Sequence, residues 1–442
     1  KEPFLFKLVK PLVQEMGDAY PILVNKEMEI VHAIEEEEHR FGETLNQGMI
    51  LLKGELEKIG SKDLPGETAF KLYDTYGFPL DLTKDVLREL DRNLDEAGFD
   101  RAMEAQREKG RASAGFSANL GQKITVSSPV EFLGYENTHA SMEVLALFDL
   151  DGEPVESLSD GRGVVVADKT VFYAESGGQL GDEGLLANSD FVFRVEDTQK
   201  SGVQTLHIGS VVKGMAEIGV VLKGEIDVDR RRQLSGSHSA THLMHSALRE
   251  LLGTHVQQKG SLVAPERLRF DFSHEGSLNP KELREIEKVV GQQVRMNTAV
   301  DVSLMPYEKA ISSGALAFFG EKYAEEVRVV RMGGDFSAEL CGGTHVVQTG
   351  EIGGFKIISE TGVASGVRRI EALTGAQAIT ESQTEQGKLL RISEYLKTDP
   401  SRIEERVEQL VEENKRLVKE MSGISQRLAA DSIGELEKGI TQ

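Results

Sequence analysis

The first quarter of the chain alternates apolar and charged residues with the period of an amphipathic helix. Apolar side chains in the first 17 positions recur at helical spacing, at Phe4, Leu5, Leu8, Leu12 and Met16. We expect these to form the apolar face of a first helix. A similar pattern runs from about residue 25 to residue 59 and resumes after Pro65 and Gly66. Residues 1–113 are therefore predicted to form a helical domain.

The pattern changes after a small, polar stretch, SAGFSANLGQ, at residues 113–122. We place a linker at residues 114–125 on this composition. Short runs rich in β-branched residues follow, separated by glycine and aspartate turns, at 144–150, 163–168, 191–195, 211–212 and 220–228. Closely spaced strands of this kind predict a small barrel or sandwich, and we assign residues 126–229 to a β-barrel.

From Arg230 onward the pattern mixes helices and strands. The segment HSATH, residues 238–242, is followed by an apolar stripe of helical period, and we expect Ser235, Gly236 and Ser237 to cap a helix beginning there. A strand is predicted at 267–274 and a helix at 280–295. Residues 230–378 are therefore predicted to form an α+β domain.

Residues 379–442 are charged and helical in pattern. Apolar residues at alternating spacings of four and three follow Pro400, at Ile403, Val407, Leu410, Leu417, Met421, Ile424 and Leu428. Asn414 fills the one polar position of this seam, as in coiled coils whose register is fixed by a buried asparagine. A coiled-coil-like start of a C-terminal domain and one helix of an intramolecular hairpin both remain open.

Composition narrows the class of protein and its compartment. The 442 residues carry 51 basic and 73 acidic side chains, a net charge of −22, which argues against a protein that coats nucleic acid nonspecifically. No apolar run approaches the roughly 20 residues of a membrane span, and no signal peptide is recognisable. A single cysteine excludes an internal disulfide and favours the cytoplasm. Since the chain begins at Lys1, we expect a piece of a longer protein.

Local clusters of basic residues could still bind an RNA, because recognition needs only a local positive surface. Such clusters occur at residues 230–232, 259, 267–269 and 368–369. For any one of them, ion pairing or ordinary solvated surface is the simpler interpretation.

Two short motifs supply a possible metal site. His238 and His242 are four residues apart, so one turn of helix places both imidazoles on one face. The only cysteine, Cys341, lies in CGGTH and precedes His345 by the same spacing. Sulfur and imidazole nitrogen are ligands that Zn²⁺ accepts in tetrahedral geometry, so we predict a zinc site of these four residues. A polar histidine pair and a small buried cysteine are the simpler alternatives.

Several motifs together resemble one enzyme family. HSATHLMH and CGGTH resemble the editing domains of both alanyl-tRNA and threonyl-tRNA synthetases. Two further segments are similar to the alanyl family: LYDTYGFP, and FYAESGGQLGD at 172–182, whose glycine turns hold Glu175, Ser176 and Gln179. The resemblance covers nearly the whole chain and ends in RRIEALTG. It implies tRNA-recognition, editing and early C-terminal regions without the aminoacylation domain and its ATP-binding motifs, so the chain should not activate alanine.

The resemblance also implies a reaction and its residues. The reaction is hydrolysis of the ester joining serine or glycine to tRNA(Ala), in an alanine–tRNA ligase of the cytoplasm. Zinc held by the four predicted ligands would serve it, with Cys341, Gln258 and Thr241 as catalytic-site residues. Asp74 matches the aspartate with which the family reads the acceptor-stem G·U pair. The C-terminal region implies a possible homodimer of the full-length protein.

Two other classes of function remain open on the residues alone. One is a tRNA-binding module whose zinc is purely structural, and the other is a zinc hydrolase that does not act on tRNA. Individual residues also have simpler interpretations. Asp74 could be a helix-end residue paired with a lysine, Gln258 a surface residue, and Thr241 a hydroxyl bonded to its own helix.

Overall fold

The computed structural model describes residues 3–60, 63–113, 124, 129–317, 324–364 and 366–440. The chain divides into two compact units. The first comprises Lys1–Ser127 with Phe148–Val155 and Ser201–Gln204, and the second comprises Ser128–Leu147, Glu156–Lys200 and Thr205–Gln442. The predicted linker at 114–125 lies almost wholly outside the described residues.

The first unit is built from helices, as the sequence pattern predicts. They are α1 Val9–Met16, α2 Pro21–Asn25, α3 Glu27–Ile59, α4 Gly66–Tyr76, α5 Leu80–Glu89 and α6 Glu96–Ser113, and a 3-10 turn, Leu5–Leu8, precedes α1. Their apolar faces form one core, which consists of Leu52, Leu56, Leu64, Ala69, Leu72, Phe78, Leu87 and Phe99. The helical prediction for this region is therefore confirmed.

The predicted apolar face of the first helix is wrong. Val9 and Val13 are 3% and 8% exposed. The predicted face is instead between 40% and 61% exposed, at Phe4, Leu5, Leu8, Leu12 and Met16. The 3-10 turn has three residues per turn, so it shifts the phase of the apolar stripe before α1 begins.

The segment LYDTYGFP folds into the end of α4 and a tight turn. Gly77 adopts a left-handed conformation with φ of 64°, which ends the helix at Tyr76. The chain then turns Phe78 into the core, where it is fully buried. A Cβ on Gly48 of α3 would lie 2.2 Å from the Phe78 ring, so this contact requires glycine.

The second unit begins with a β-barrel. The strands between residues 131 and 226, of which β3 belongs to the first unit, are β1 Glu131–Phe132, β2 His139–Phe148, β3 Pro154–Val155, β4 Ser157–Leu158, β5 Arg162–Ala167, β6 Lys169–Thr170, β7 Gly184–Ala187, β8 Val192–Ser201, β9 Gln204–Lys213, β10 Ala216–Glu217 and β11 Val221–Ile226. Six of them pair in the order β11-β7-β8-β9-β5-β2, and β11 also pairs with β2. This pairing closes the sheet and confirms the predicted barrel.

The rest of the second unit mixes helices and antiparallel sheets. Its helices are α7 Val228–Leu252, α8 Pro280–Met296, α9 Tyr307–Ser312, α10 Gly375–Leu396 and α11 Ile403–Ile440. Its strands are β12 Gln258–Val263, β13 Leu268–Ser273, β14 Asp301–Pro306, β15 Glu326–Met332, β16 Ser337–Leu340, β17 Phe355–Ala364 and β18 Val367–Thr374. They form one sheet of order β12-β13-β18-β17 and another of order β14-β15-β16. Helices α7 and α8 pack on each other, and α7 also packs on the first of these sheets, around one apolar core.

The predicted start of the α7 helix is wrong. The helix begins ten residues before His238, and the Asp227 side chain caps it by accepting the Arg230 backbone N–H. Ser235 and Ser237 are buried inside the helix, where their hydroxyls lie against Thr344 and Thr374. Small residues there allow close packing, so a stretch with the composition of a cap serves as a packed helix interior.

Arg231 joins α7 to the barrel region through a buried ion pair. It donates to the Asp182 carboxylate and, through its two terminal nitrogens, to the carbonyl oxygens of Gly134 (2.6 Å) and Val171 (2.9 Å). The side chains of Arg231 and Asp182 are 11% and 1% exposed. The basic cluster at 230–232 therefore offers no free Arg231 cation for RNA.

We expect Arg231→Met to lower the free energy of unfolding by about 3–5 kcal/mol, because it leaves the Asp182 charge buried without its partner. Arg232→Met is the matched control. Arg232 pairs with Asp229 at the surface, where both side chains are at least 75% exposed, and its loss should change stability by less than about 0.5 kcal/mol. Urea unfolding of the two variants measures the difference. Equal stabilities would contradict a stabilising role for the buried pair.

The C-terminal helix α11 carries the predicted heptad seam on an exposed face. Val407, Leu410, Leu417, Met421 and Ile424 are all at least 37% exposed. The coiled-coil assignment stays a prediction, as do the domain bounds. Among the helices that the structure describes, none is both long and apolar enough to cross a membrane.

Candidate metal centre

The four predicted metal ligands lie together in the second unit. His238 and His242 project from α7, and Cys341 and His345 lie on the loop that follows β16. One possible ligand atom from each residue lies within 4.8 Å of those of the other three. His238 and His242 are buried, and the other two residues are partly buried. Spacing within two motifs about a hundred residues apart thus identified one cluster in the fold.

Each imidazole of the cluster is held through its Nδ1 atom by a residue outside the cluster. His238 Nδ1 lies 2.7 Å from Gln179 Oε1, and His345 Nδ1 lies 3.2 Å from Ser239 Oγ. His242 Nδ1 lies 2.6 Å from the Glu339 carboxylate. The Nε2 atoms of His238 and His345 face Cys341, at 3.4 and 3.3 Å from its sulfur.

This geometry fits a tetrahedral metal ion. In a tetrahedral zinc site the Zn–S bond is about 2.3 Å long and the Zn–N bond about 2.05 Å long. The sulfur and a nitrogen bound to the same ion then lie about 3.5 Å apart. The observed separations of 3.3 and 3.4 Å agree with that value. Three nitrogens and one sulfur also form a donor set that zinc accepts. The residues present therefore suit a metal ion of this class.

Glu339 is a residue of the site that the sequence did not reveal. It lies on β16, is buried, and holds two histidines of α7, with its second oxygen 2.8 Å from His245 Nδ1. Burial alone would raise the pKa of Glu339, but His242 and His245 lower it below its usual range. The carboxylate is therefore ionised and accepts from both rings. His245, seven residues after His238, completes one face of α7, and this spacing was an available signal.

The sulfur of Cys341 lies in an electropositive environment. Burial alone would raise the pKa of the Cys341 thiol, but the neighbouring imidazoles of His238, His242 and His345 lower it well below its usual range. The thiolate is the form that binds metals, so the neighbouring imidazoles favour the form that a metal site needs.

The backbone of the cysteine loop is held by two side chains. Arg328 donates one terminal nitrogen to the carbonyl oxygens of Cys341 and Gly343, at 2.8 and 2.9 Å. The Tyr135 hydroxyl donates to Gly342 O at 2.6 Å, and the Arg328 guanidinium stacks on the Tyr135 ring. Side chains therefore satisfy three successive carbonyls, which fixes the loop that carries two of the predicted ligands.

The two other predicted catalytic-site residues lie on elements of the same unit. Thr241 is buried on α7, and its hydroxyl donates to Ser237 O at 2.8 Å. This is the bond to its own helix that the simpler interpretation of Thr241 predicts. Gln258 begins β12 and contacts Ser261 Oγ at 3.3 Å. Ser261 in turn donates to Gly177 O of the glycine-rich segment. Their roles in a reaction stay predictions.

Asp74 lies in the last turn of α4 in the first unit. Its side chain is exposed and accepts a hydrogen bond from Gln106 Nε2 at 2.7 Å. An exposed carboxylate held by an amide can still accept a further bond from a ligand.

The remaining predicted basic clusters are largely paired. Arg369 binds the Asp271 carboxylate with two nitrogens, and Arg368 binds Glu360. Arg267 lies 3.5 Å from Glu371. Lys259 is exposed next to Gln258. Most of these cations therefore pair with acidic side chains of the sheet and do not form a free positive surface.

Comparisons with known proteins agree with the motifs. Residues 1–230 match the family of class II (A) tRNA synthetases, and residues 327–371 match the second additional domain of threonyl- and alanyl-tRNA synthetases. An alanine–tRNA ligase from Hydrogenovibrio crunogenus is 48% identical over 440 residues, which are 99% of this chain and 51% of that protein. The chain thus spans about half the length of this curated relative, and it belongs to the alanyl-tRNA synthetase family.

Proposed function

We propose that this chain is an editing hydrolase that deacylates tRNA(Ala) carrying serine or glycine. One observation carries the proposal: three imidazoles and the Cys341 sulfur form one cluster in which the outer nitrogens of the rings are already held, and Cys341 and His345 lie within the segment that matches the second additional domain. Family membership supports tRNA as the partner. A synthetase needs such editing because its pocket cannot fully reject a smaller amino acid or one that adds a hydroxyl.

Zinc is the metal that we assign to the cluster, held by His238, His242, Cys341 and His345. A bound zinc ion can polarise a carbonyl or a water molecule. Four protein ligands fill a tetrahedral shell, so catalysis requires that one ligand exchange or that the ion only position the aminoacyl group. The four ligands would hold the ion beside the ester, and Thr241 would contact the serine hydroxyl.

The deciding experiment is deacylation of seryl-tRNA(Ala) by the purified chain, with alanyl-tRNA(Ala) as the matched substrate. We expect hydrolysis of the seryl and glycyl esters and survival of the alanyl ester. Equal hydrolysis of seryl and alanyl esters would indicate a nonspecific hydrolase. Zinc binding and tRNA binding with no hydrolysis would assign the chain to a binding module with structural zinc. Zinc-dependent ester hydrolysis without tRNA binding would indicate a zinc hydrolase of another class.

Asp74 is expected to read the acceptor stem, because an exposed carboxylate can accept from a guanine amino group in the minor groove. Asp74→Asn should weaken the preference for tRNA carrying the G·U pair by about 1–3 kcal/mol. The measurement is the affinity for matched tRNAs with and without that pair. Asp81→Asn, which removes another exposed carboxylate of the same unit, is the control. A uniform loss of affinity for both tRNAs would exclude a reading role.

Thr241 is expected to discriminate serine from alanine. Thr241→Val keeps the volume and removes the hydroxyl, so selectivity for the seryl ester should fall by about 0.5–1.5 kcal/mol, the worth of one hydrogen bond. The ratio of deacylation rates for the two esters measures it. Thr380→Val removes a comparable hydroxyl-to-backbone bond on α10 and should leave the ratio unchanged. Unchanged selectivity in Thr241→Val would show that the Thr241 hydroxyl only bonds its own helix and does not discriminate between the esters.

A further inference from the structure

The glycine-rich segment, residues 172–182, meets the metal cluster through one side chain. Gln179 is fully buried, and its two amide atoms make three contacts. Its Oε1 lies 2.7 Å from His238 Nδ1 and 3.0 Å from the Thr344 backbone nitrogen, while its Nε2 lies 2.8 Å from Thr344 Oγ1. This amide therefore lies between the first ligand on α7 and the loop that carries the last two.

The orientation of the amide follows from one of these contacts. The backbone N–H of Thr344 can only donate, so the atom facing it must be the amide oxygen. The same oxygen faces His238 Nδ1, so that nitrogen must carry the proton. In the neutral ring a proton at Nδ1 puts the lone pair on Nε2, and Nε2 is the nitrogen that faces Cys341.

The backbone beneath Gln179 is fixed in place. Gln179 and Ser176 exchange two backbone hydrogen bonds across a tight turn through Gly177 and Gly178. The turn is tied to β12, because Val263 N donates to Gly178 O and Leu180 N donates to Val263 O. Gly178 has φ of 85°, and a Cβ there would lie 2.5 Å from Ser261 O, so both conformation and space require glycine.

We propose that Gln179 is a positioning residue of the metal centre, which sets the tautomer of His238 and thereby the metal affinity of the cluster. The glycine-rich segment acts as the fixed base from which this amide reaches the ligand. The proposal rests on the metal assignment in the proposed function. Groups that orient a ligating histidine typically change metal affinity by about 10–100-fold when removed.

The test measures Zn²⁺ affinity by competition with a chromogenic chelator. Gln179→Met keeps the length of the side chain but offers no acceptor, and we expect its Zn²⁺ dissociation constant to rise about 10–100-fold. Gln179→Glu keeps an acceptor for both His238 and the Thr344 N–H, and the Thr344 hydroxyl can rotate to donate to it. The Zn²⁺ dissociation constant of this variant should lie within a few-fold of the wild-type value. Gln204→Met, which removes another buried glutamine from β9, should bind Zn²⁺ as wild type does.

A second readout is independent of the metal. The ¹⁵N chemical shifts of His238 in the metal-free protein report which ring nitrogen is protonated. We expect Nδ1–H in wild type and in Gln179→Glu, and a mixture of tautomers in Gln179→Met. If Gln179→Met fails to fold, the wild-type shifts decide, and protonation at Nε2 would overturn the proposal.

The possible failures are distinguishable. Wild-type protein that does not bind Zn²⁺ would refute the metal assignment in the proposed function. Wild-type protein that binds Zn²⁺, together with a folded Gln179→Met variant of equal affinity, would refute only the role of Gln179.

Discussion

Replacing Cys341 with alanine is expected to release zinc from the chain and to reduce seryl-tRNA hydrolysis by more than about 100-fold, beyond the range typical of changes outside the ligand shell. Cys341 supplies the only sulfur of the cluster, and this sulfur faces the Nε2 atoms of two histidines. Alanine removes this ligand without adding bulk. Metal content, seryl-tRNA hydrolysis and tRNA affinity, measured on one preparation, test the expectation.

The control for Cys341→Ala is His255→Ala. His255 is an exposed histidine bonded to His274, and the cluster does not include it. The His255→Ala variant should keep both its zinc and its hydrolytic activity. The tRNA affinity of Cys341→Ala should survive, because the helical first unit is unchanged. Full activity in Cys341→Ala would remove the thiol from the mechanism, and loss of zinc with general unfolding would favour a structural metal.

The two glycines of CGGTH are expected to respond very differently to alanine. A Cβ on Gly343 would lie 2.1 Å from His238 Cε1, 2.4 Å from His238 Nδ1 and 2.9 Å from Gln179 Oε1. A Cβ on Gly342 would meet nothing within 4 Å. Gly343→Ala must therefore move the His238 ring away from its amide, and we expect metal affinity to fall at least about 10-fold. Gly342→Ala should leave it unchanged.

Metal competition and thermal unfolding on both variants test this pair. Overpacking of a buried position typically costs about 1–3 kcal/mol, so Gly343→Ala should also lower stability. Neither glycine adopts a positive φ, so backbone strain does not separate the two variants. Equal metal affinities would show that the loop shifts to accept the methyl group, and that the His238 ring is less constrained than its contacts indicate.

The sequence predicted the elements and the cluster of four residues that local spacing encodes. The helix of α3, the barrel strands and the four-residue spacings of His238 with His242 and of Cys341 with His345 all depend on residues close in sequence. Such periodicities are visible because one turn of helix or one tight loop brings the residues together. These are the parts of the fold and of the site that the structure reproduces.

The residues that contact the outer nitrogens of the predicted ligands were not predicted, because these contacts join residues that are far apart in the sequence. Gln179 precedes His238 by 59 residues, and Glu339 follows His245 by 94. Their contacts exist only after the barrel region and β16 have packed against α7. The helix cap was assigned wrongly for a different reason. Ser235 to Ser237 have the composition of a helix start, but their neighbours in the fold bury them.

The outer hydrogen bonds of the three imidazoles have a consequence for how the centre would exchange its ion. Because Gln179, Glu339 and Ser239 already hold the rings, their rotamer freedom is lost when the chain folds rather than when a metal arrives. Immobilising a free side chain on binding costs about 0.5–1.5 kcal/mol, and this centre avoids most of that cost. In zinc fingers, by contrast, binding and folding are one event. The apolar core around α7 consists of side chains that pack without an ion, so we expect the fold to persist when a bound ion leaves.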